Sequence, residues 1–175
     1  LLAALEWSHD LLGPDEQAVF RRLSVFSGGF SLALVSVVTS DDRLDEWTVI
    51  DLLGELVDRS LVSVDAVLEG ADAPRYRLLE STLAFAELKL ADSSEREAMA
   101  QRHARAVAGL MDRAYEGYWA MPDNAWLNTY GPEIDNVRKA LEWARQNDPG
   151  LAVTLVGAAS VLFLLLGLAP ELPLI

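Results

Sequence analysis

Apolar residues recur with a helical spacing through the first sixty residues of the chain. They lie three and four positions apart after Pro14, and again on one side of the segment that begins at Glu46. Pro14 suits the first turn of a helix, Gly28 and Gly29 interrupt the pattern, and Ser31 can cap the helix that follows. The pattern predicts helices over residues 14–26, 31–38 and 46–59.

The pattern then changes to the alternation of a β-hairpin. Residues 61–65 are β-branched and partly alternating, and residues 75–79 alternate polar with apolar side chains. Glycine and proline in the intervening segment, 69–74, favour a turn. A further helix is expected from Glu80 to about Leu90. Three helices followed by a hairpin is the element order of a winged helix.

The remainder of the chain has the pattern of antiparallel helices joined by short turns. Such pairs suit an α-solenoid of the tetratricopeptide type. The chain is therefore predicted to be mostly α-helical, with a winged-helix domain at 1–92 and the start of a helical-repeat domain at 93–175. Because the chain begins inside a helical pattern and ends in an apolar stretch, we expect it to be part of a longer protein. The helices of the second domain are predicted over residues 93–118, 125–130, 132–146 and 151–168.

Charge narrows the classes of partner that the chain can bind. The sequence has 14 basic and 27 acidic residues and a formal net charge of −13. Nucleic-acid affinity depends largely on lysine and arginine side chains that neutralise phosphates, so the chain as a whole should be repelled by DNA. It contains no cysteine, which excludes disulfides and thiolate chemistry and agrees with a cytoplasmic location.

The same charge argument applies to the third predicted helix, which is the element with which a winged helix contacts the bases of DNA. A recognition helix in the major groove needs basic and amide side chains. The segment from Asp41 to Arg59 contains two basic and seven acidic residues, 2 − 7 = −5. We therefore expect no direct DNA binding and favour a helix that packs on neighbouring domains. A DNA-binding winged helix of a transcription factor is the alternative.

No catalytic or metal-binding motif is present in the sequence. The phosphate-binding pattern G-x-x-x-x-G-K-[ST] is absent, so the chain alone is expected to bind no cofactor and to hydrolyse nothing. His9 and His103 are far apart and neither has ligand-like spacing to a second histidine or cysteine. Both are expected to be surface or packing residues, and the chain is not expected to be an enzyme.

Five segments, in order, carry a family resemblance. They resemble the region that follows the nucleotide-binding core in bacterial STAND (NB-ARC-like) ATPases of the AfsR/LuxR regulator type. The first three resemble its winged helix and the last two the beginning of its tetratricopeptide-like repeats. The segments are WSHDLLGPDEQAVFRRLSVFSGGFSLALVSVV, VIDLLGELVDRSLVSVD, RYRLLESTLAFAELKL, RHARAVAGL and EIDNVRKALEWA.

The resemblance implies a non-catalytic, regulatory part of a signal-transduction ATPase and transcriptional regulator. A nucleotide-binding domain that takes ATP or ADP would lie upstream in the parent protein, and helical repeats that sense a ligand or partner would lie downstream. The winged helix would contact both in cis and couple one to the other. Members of this family also carry DNA-binding or cyclase domains elsewhere in the chain.

The end of the second hairpin strand bears on nucleotide sensing. In related ATPases this strand ends in a Met-His-Asp-like triplet whose histidine contacts the ADP phosphate. Leu78, Leu79 and Glu80 occupy those positions here, so Leu79 replaces the histidine and is expected to be a core leucine that closes the hairpin. Arg75 and Arg77 are candidate nucleotide-binding residues in the parent protein, although ordinary surface pairing is favoured for both.

The last predicted helix has no charged residue from Leu151 to Ala169. This length is near that of a membrane span, but no lysine or arginine cluster flanks it, and we favour a helix buried in a solenoid rather than a membrane helix. One apolar face would then lack a neighbour, and exposed apolar strips favour association. A homodimer is expected through this helix, with the interaction residues Val161, Leu162, Leu164 and Leu165.

Overall fold

The computed structural model describes residues 2–65 and 74–172, which divide into two compact units. The first comprises residues 2–65 and 74–99, and the second comprises residues 100–172. The division falls inside the first turn of a long helix, a few residues after the boundary at 92 that the sequence suggests. The predicted turn at 69–74 and the last three residues of the chain lie outside the described residues, apart from Pro74.

The first unit has the winged-helix fold. A helix precedes it (α1, Leu2–Asp10), and three further helices, α2 to α4, are followed by the two strands of a hairpin and by a closing helix, α5. The prediction of three helices and a hairpin is confirmed. The elements are α2 (Pro14–Arg22, followed by the 3₁₀ turn Leu23–Val25), β1 (Phe30–Ser31), α3 (Leu32–Thr39), α4 (Glu46–Asp58), β2 (Ser63–Asp65), β3 (Arg75–Arg77) and α5 (Glu80–Ala91).

The sheet contains one strand that the sequence did not predict. The three strands are antiparallel in the order β1-β3-β2, and Tyr76 at the centre of β3 is opposite both Phe30 and Val64. A strand of two residues shows no alternation of polar and apolar side chains, so its sequence contains no period to recognise. Pairing with β3 stabilises it, and the Phe30 and Tyr76 rings stack at 6.4 Å.

The ends of the winged-helix helices follow local chemistry. The Ser31 hydroxyl accepts a hydrogen bond from the Leu34 N–H at 3.2 Å, and the Asp45 carboxylate accepts one from the Thr48 N–H at 2.8 Å. Helix α4 ends with Ser60 in the left-handed region, at φ 59°. The N–H of Leu61 bonds the carbonyl of Leu56 across this turn, which forms a Schellman motif without the usual glycine.

The core of the unit lies where α2, α3, α4 and α5 meet. Most of the side chains buried there are apolar, and burying each large apolar one stabilises the fold by about 1.5–3 kcal/mol. The apolar pattern of α4 predicts a core face of Val49, Leu52, Leu53, Leu56 and Val57. Val49, Leu53 and Leu56 are buried as predicted, and Leu52 and Val57 are half-buried. Fully or almost fully buried members are Val19, Phe20, Leu23, Val35, Val38, Val49, Leu53, Leu56, Phe85 and Ala86.

The second unit is helical throughout its described part. Helix α6 (Arg96–Gly117) starts in the first unit and extends into the second; α7 (Asp123–Tyr130), α8 (Ile134–Asn147) and α9 (Pro149–Leu165) follow it. Trp126 is completely buried, and its indole N–H donates to the carbonyl of Ala114 at 2.8 Å. The helical pattern predicted for this part is therefore confirmed.

The last helix, Pro149–Leu165, begins two residues before the start and ends three residues before the end of the predicted range 151–168. Gly167 adopts φ 71°, and the N–H of Leu168 bonds the carbonyl of Phe163 at 2.7 Å, so a Schellman motif ends α9 after Leu165. The apolar pattern continues past this point, which is why the end of the helix was predicted three residues too late. Within the described part of the chain, no helix is both long enough and apolar enough to cross a bilayer.

Candidate functional site

Helix α4 occupies the position of the recognition helix, after α2 and α3 and before the hairpin. Val49, Leu53 and Leu56 point into the core, so the opposite side of the helix is free to contact a partner. Its first turn is fixed by the Asp45 cap and its last turn by the Ser60 turn. The exposed side is therefore presented on a rigid element.

This exposed side carries carboxylates and one tryptophan. Trp47 is 78% exposed, and Glu46, Asp51, Glu55 and Asp58 are also exposed. Within residues 2–65 and 74–172, no ion pair within 4.0 Å involves these four carboxylates. We call Trp47, Asp51, Gly54, Glu55 and Asp58 the Trp47 face.

The two arginines nearest to α4 in sequence are directed away from this face. Arg43 Nη1 lies 2.7 Å from Asp15 Oδ1, and Arg59 Nε lies 3.1 Å from Glu16 Oε1. Both acidic partners belong to the first turn of α2, where the helix dipole favours negative charge. The arginines therefore tie α4 to α2 and do not offset the negative charge of the Trp47 face.

A third arginine is buried at the other end of α2. The side chain of Arg22 is only 4% exposed; it donates to the carbonyl of Thr39 at 2.7 Å and to Asp41 Oδ2 at 2.6 Å. Its Nε also donates to Glu95 Oε1 at 3.1 Å, and Arg21 donates to the second oxygen of Glu95 at 2.6 Å. This Arg22 network joins α2, the α3–α4 loop and the residue that precedes α6.

The network holds its carboxylates in the charged form. Burial alone would raise the pKa of Asp41, but hydrogen bonds from the Leu44 N–H and the Arg22 guanidinium lower it to about 2. Burial would likewise raise the pKa of Glu95, and the two arginines lower it. Arg22, Asp41 and Glu95 are therefore charged and paired with one another inside the first unit.

The candidate nucleotide-binding arginines lie on β3 of the wing. Arg77 Nε is 3.0 Å from Asp65 Oδ1 on the neighbouring strand, which is the surface pairing that the sequence favours. Arg75 Nη2 donates to the carbonyl of Gly29 at 3.0 Å. Both side chains thus have partners inside the unit, and their role toward a nucleotide stays a prediction.

The expectation for Leu79 was wrong. Leu79 is 51% exposed and immediately precedes α5, whereas its neighbour Leu78 is buried and closes the hairpin. The backbone is extended at Leu79, and successive side chains of an extended chain point to opposite sides, so only one of the two leucines can face the core.

Four residues of α9 were predicted to form an interaction face, but they do not all lie on the same side of the helix. Leu164 is 67% exposed and Val161 and Leu165 are half-buried, but Leu162 is completely buried inside the helical unit. Leu162 was therefore wrongly assigned to the outer face. A helix with apolar residues on every side gives no period from which the outward positions can be read.

The two histidines are both buried. His9 contacts the rings of Phe20 and Phe85, and burial lowers its pKa. His103 in α6 lies 3.2 Å from Asn136 Oδ1 in α8, and Asn136 in turn donates to Glu133 at 2.8 Å. Across the described residues, histidine, aspartate and glutamate side chains form no cluster of three or more that could hold a metal ion.

Sequence reasoning missed the two features that define this unit chemically. For α4, only the number of acidic and basic residues was considered. The helical spacing of the sequence already places Trp47 on the side opposite the predicted core face, which was the signal for an exposed aromatic ring. The Arg22 network offered no such signal, because its partners are 19 and 73 residues away. Only the fold brings them together.

Comparisons with known proteins agree with the observed fold. Residues 12–91 match the family described as a winged helix-turn-helix domain. Proteins of Mycobacterium bovis and Mycobacterium tuberculosis, each named "Putative HTH-type transcriptional regulator", are 39% identical over 150 residues, 84% of this chain and 16% of theirs. An uncharacterized protein of Mycobacterium tuberculosis is 36% identical over 104 residues, 59% of this chain and 26% of its own length. The chain thus spans about a sixth of the length of the first relatives, and no solved structure matches it.

Proposed function

We propose that this chain is a regulatory module of a transcriptional regulator and that its winged helix acts through contacts with proteins rather than with DNA. The winged-helix fold and the names of the mycobacterial relatives support a regulatory role. One observation favours a protein over DNA as the partner of the recognition helix. The outward side of the recognition helix presents Asp51, Glu55 and Asp58, which make no ion pair within 4.0 Å in the described part of the chain, where a DNA reader needs basic groups.

We propose further that the parent protein is a cytoplasmic bacterial signal-transduction ATPase. The five sequence blocks that resemble STAND regulators support this, and they suggest an ATP- or ADP-binding domain before the winged helix and helical repeats after it. In that arrangement the winged helix contacts the nucleotide-binding domain in cis and biases a two-state switch. The chain itself supplies no catalytic group to the reaction.

The proposed function is tested first against duplex DNA. We expect the chain to show no binding to a labelled random-sequence duplex at about 150 mM salt, because phosphates and the α4 carboxylates repel each other. The measurement is fluorescence anisotropy. Specific or non-specific binding that persists at this salt concentration would favour the alternative, a DNA-binding winged helix.

A charge-reversed variant serves as the control for this measurement. Asp51→Lys, Glu55→Lys and Asp58→Lys together keep helix-compatible side chains at exposed positions, so the fold should be retained. If charge is what excludes DNA, this variant gains non-specific affinity that disappears as salt is raised. Equal behaviour of the parent and the variant would show that α4 is not accessible to a duplex for some other reason.

We also propose that the chain forms a homodimer through the outward face of α9. This face is apolar, and Leu164 is its most exposed large side chain. In sedimentation experiments at tens of micromolar, we expect the parent to dimerise and Leu164→Gln to be monomeric. Leu88→Gln, which changes a comparably exposed leucine in the other unit, should behave as the parent does. A parent chain that sediments as a monomer would contradict the proposal.

A further inference from the structure

The Trp47 face combines acidic side chains with a large exposed aromatic ring. Its members recur along one side of α4, from Trp47 to Asp51, Gly54, Glu55 and Asp58. Trp47 is 78% exposed, although burying the large ring of a tryptophan is strongly stabilising. The three carboxylates on this side, Asp51, Glu55 and Asp58, are exposed, and none forms an ion pair within 4.0 Å with an arginine or lysine of the described residues. The face is therefore both strongly acidic and equipped with a large aromatic surface.

Gly54, in the middle of this face, has no structural reason to be glycine. It lies inside α4 with an ordinary helical backbone, and a Cβ added there would meet nothing within 4 Å. A glycine in a helix interior costs about 0.5–1 kcal/mol relative to alanine, so the isolated unit would gain stability from a side chain at this position. Glycine is expected on an exposed helix face where another molecule approaches the backbone closely.

We propose that the Trp47 face binds a basic protein segment, with an arginine side chain stacked on Trp47 and further arginine or lysine side chains paired with the carboxylates of α4. This inference rests on the proposed function, because it names the partner of a winged helix that acts through proteins. Tryptophan is the aromatic ring that attracts cations most strongly, and carboxylates accept the forked hydrogen bonds of arginine. Gly54 lets the backbone of the segment lie against the helix.

The charge of the face decides between classes of macromolecule. Nucleic acids and anionic membranes both carry dense negative charge, which the carboxylates of α4 repel. A second copy of the same face is repelled for the same reason. A basic protein segment is attracted over a distance of about 10 Å, and the attraction weakens as salt is added. Binding should therefore be salt-dependent and should need the aromatic ring as well as the charges.

The test uses the chain with a labelled peptide of alternating arginine and alanine as the probe. We expect saturable binding, with the largest NMR shift changes at the Trp47 indole N–H and at the amides of α4. Trp47→Ala should weaken binding about tenfold, as expected for a central aromatic contact. Because Trp47 is mostly exposed, this variant should fold like the parent. Gly54→Gln should weaken binding while leaving the unit at least as stable.

A matched control separates a specific face from the general acidity of the chain. One triple variant neutralises the face with Asp51→Asn, Glu55→Gln and Asp58→Asn. The other makes the same change in net charge at exposed positions of the helical unit, with Asp112→Asn, Glu116→Gln and Glu142→Gln. We expect the first to weaken binding about tenfold or more and the second to weaken it only slightly.

Several results would overturn the inference. They are no binding of the peptide at about 1 mM, equal weakening by the two triple variants, or shift changes that avoid α4. Binding of duplex DNA or of vesicles with anionic lipid through this face would also overturn it. If DNA binds through α4, the proposed function fails as well. If neither DNA nor the peptide binds, only the assignment of a basic partner fails.

Discussion

Arg22→Met is expected to destabilise the winged-helix unit by about 3 kcal/mol, because it removes a buried cation from between two carboxylates. The Arg22 side chain is 4% exposed and donates to Thr39, Asp41 and Glu95. Methionine fills a similar volume but donates no hydrogen bond, so Asp41 and Glu95 would face each other uncompensated. Both carboxylates are partly exposed, at 25% and 22%, which keeps the loss at the lower end of the range for broken buried pairs. Urea unfolding followed by circular dichroism measures the change.

Two comparisons isolate the role of the buried guanidinium. Arg21→Met removes a partly exposed arginine that bonds only Glu95 within the network, and should cost about 1 kcal/mol or less. Arg22→Lys keeps the charge but cannot bond three groups in fixed directions, so an intermediate loss is expected. If Arg22→Met and Arg21→Met have the same small effect, the network contributes little to stability.

The pH dependence of this network has a definite sign. The pKa of Asp41 is about 2 in the folded chain, below its usual value of 3.8, so the unfolded chain binds a proton first as the pH falls. The stabilisation from Asp41 is therefore complete above about pH 4 and is lost progressively as the pH falls toward 2. Glu95, whose pKa is also lowered, contributes in the same direction. Arg22→Met should weaken this dependence without abolishing it, because the Leu44 N–H still donates to Asp41 and still lowers its pKa.

Local chemistry explains how much of the fold could be predicted from the sequence. The helices of the first unit were recognisable because their starts carry residues that bond the first free N–H groups, such as Ser31 at α3 and Asp45 at α4. The core face of α4 was recognisable because apolar residues recur with its period. Both signals lie within a few residues of the structure that they specify, so a single sequence contains them.

The features that sequence reasoning missed depend on residues far apart along the chain. Strand β1 exists only because it pairs with β3, more than forty residues later. The assignment of Leu79 to the core failed because Leu78 and Leu79 have the same chemistry, and the direction of β3 decides which is buried. Leu162 was misassigned for the same reason, since all sides of α9 are apolar. Sequence patterns specify which residues are apolar, and packing selects the ones that face inward.

The candidate site was partly accessible from the sequence. The excess of acidic residues around α4 predicted correctly that its outward side is negative, but the same count included Asp41, which the structure pairs with Arg22. The charge count also could not show that Arg43 and Arg59 are turned toward α2. The Trp47 face is consequently more uniformly acidic than the net charge of its segment suggests.

In the helical unit, we expect stability to fall by up to about 3 kcal/mol as the pH is lowered from 6.5 to 4, because His103 is buried in its neutral form. Burial lowers its pKa from 6.5 to about 4, although the hydrogen bond with Asn136 partly opposes the shift. The unfolded chain therefore takes up a proton in this pH range while the folded chain does not, and folding becomes less favourable. The stabilisation is complete above about pH 6.5. Hydrogen exchange at the amides of α8, which bears Asn136, measures the loss.

The matched variants for this prediction are His103→Gln and His9→Gln. Glutamine has no charge at any of these pH values and can still donate to the Asn136 oxygen. His103→Gln should therefore remove most of the pH dependence of the free energy of opening of α8 between pH 6.5 and 4, taken from protection factors that correct for the intrinsic pH dependence of amide exchange. His9 is also buried with a lowered pKa but belongs to the winged-helix unit, so His9→Gln should leave the behaviour of α8 unchanged. If the pH dependence of α8 survives in His103→Gln, another group is responsible and the assignment to His103 is wrong. If His9→Gln also weakens the pH dependence of α8, without abolishing it, the two units unfold together and both histidines contribute to one transition.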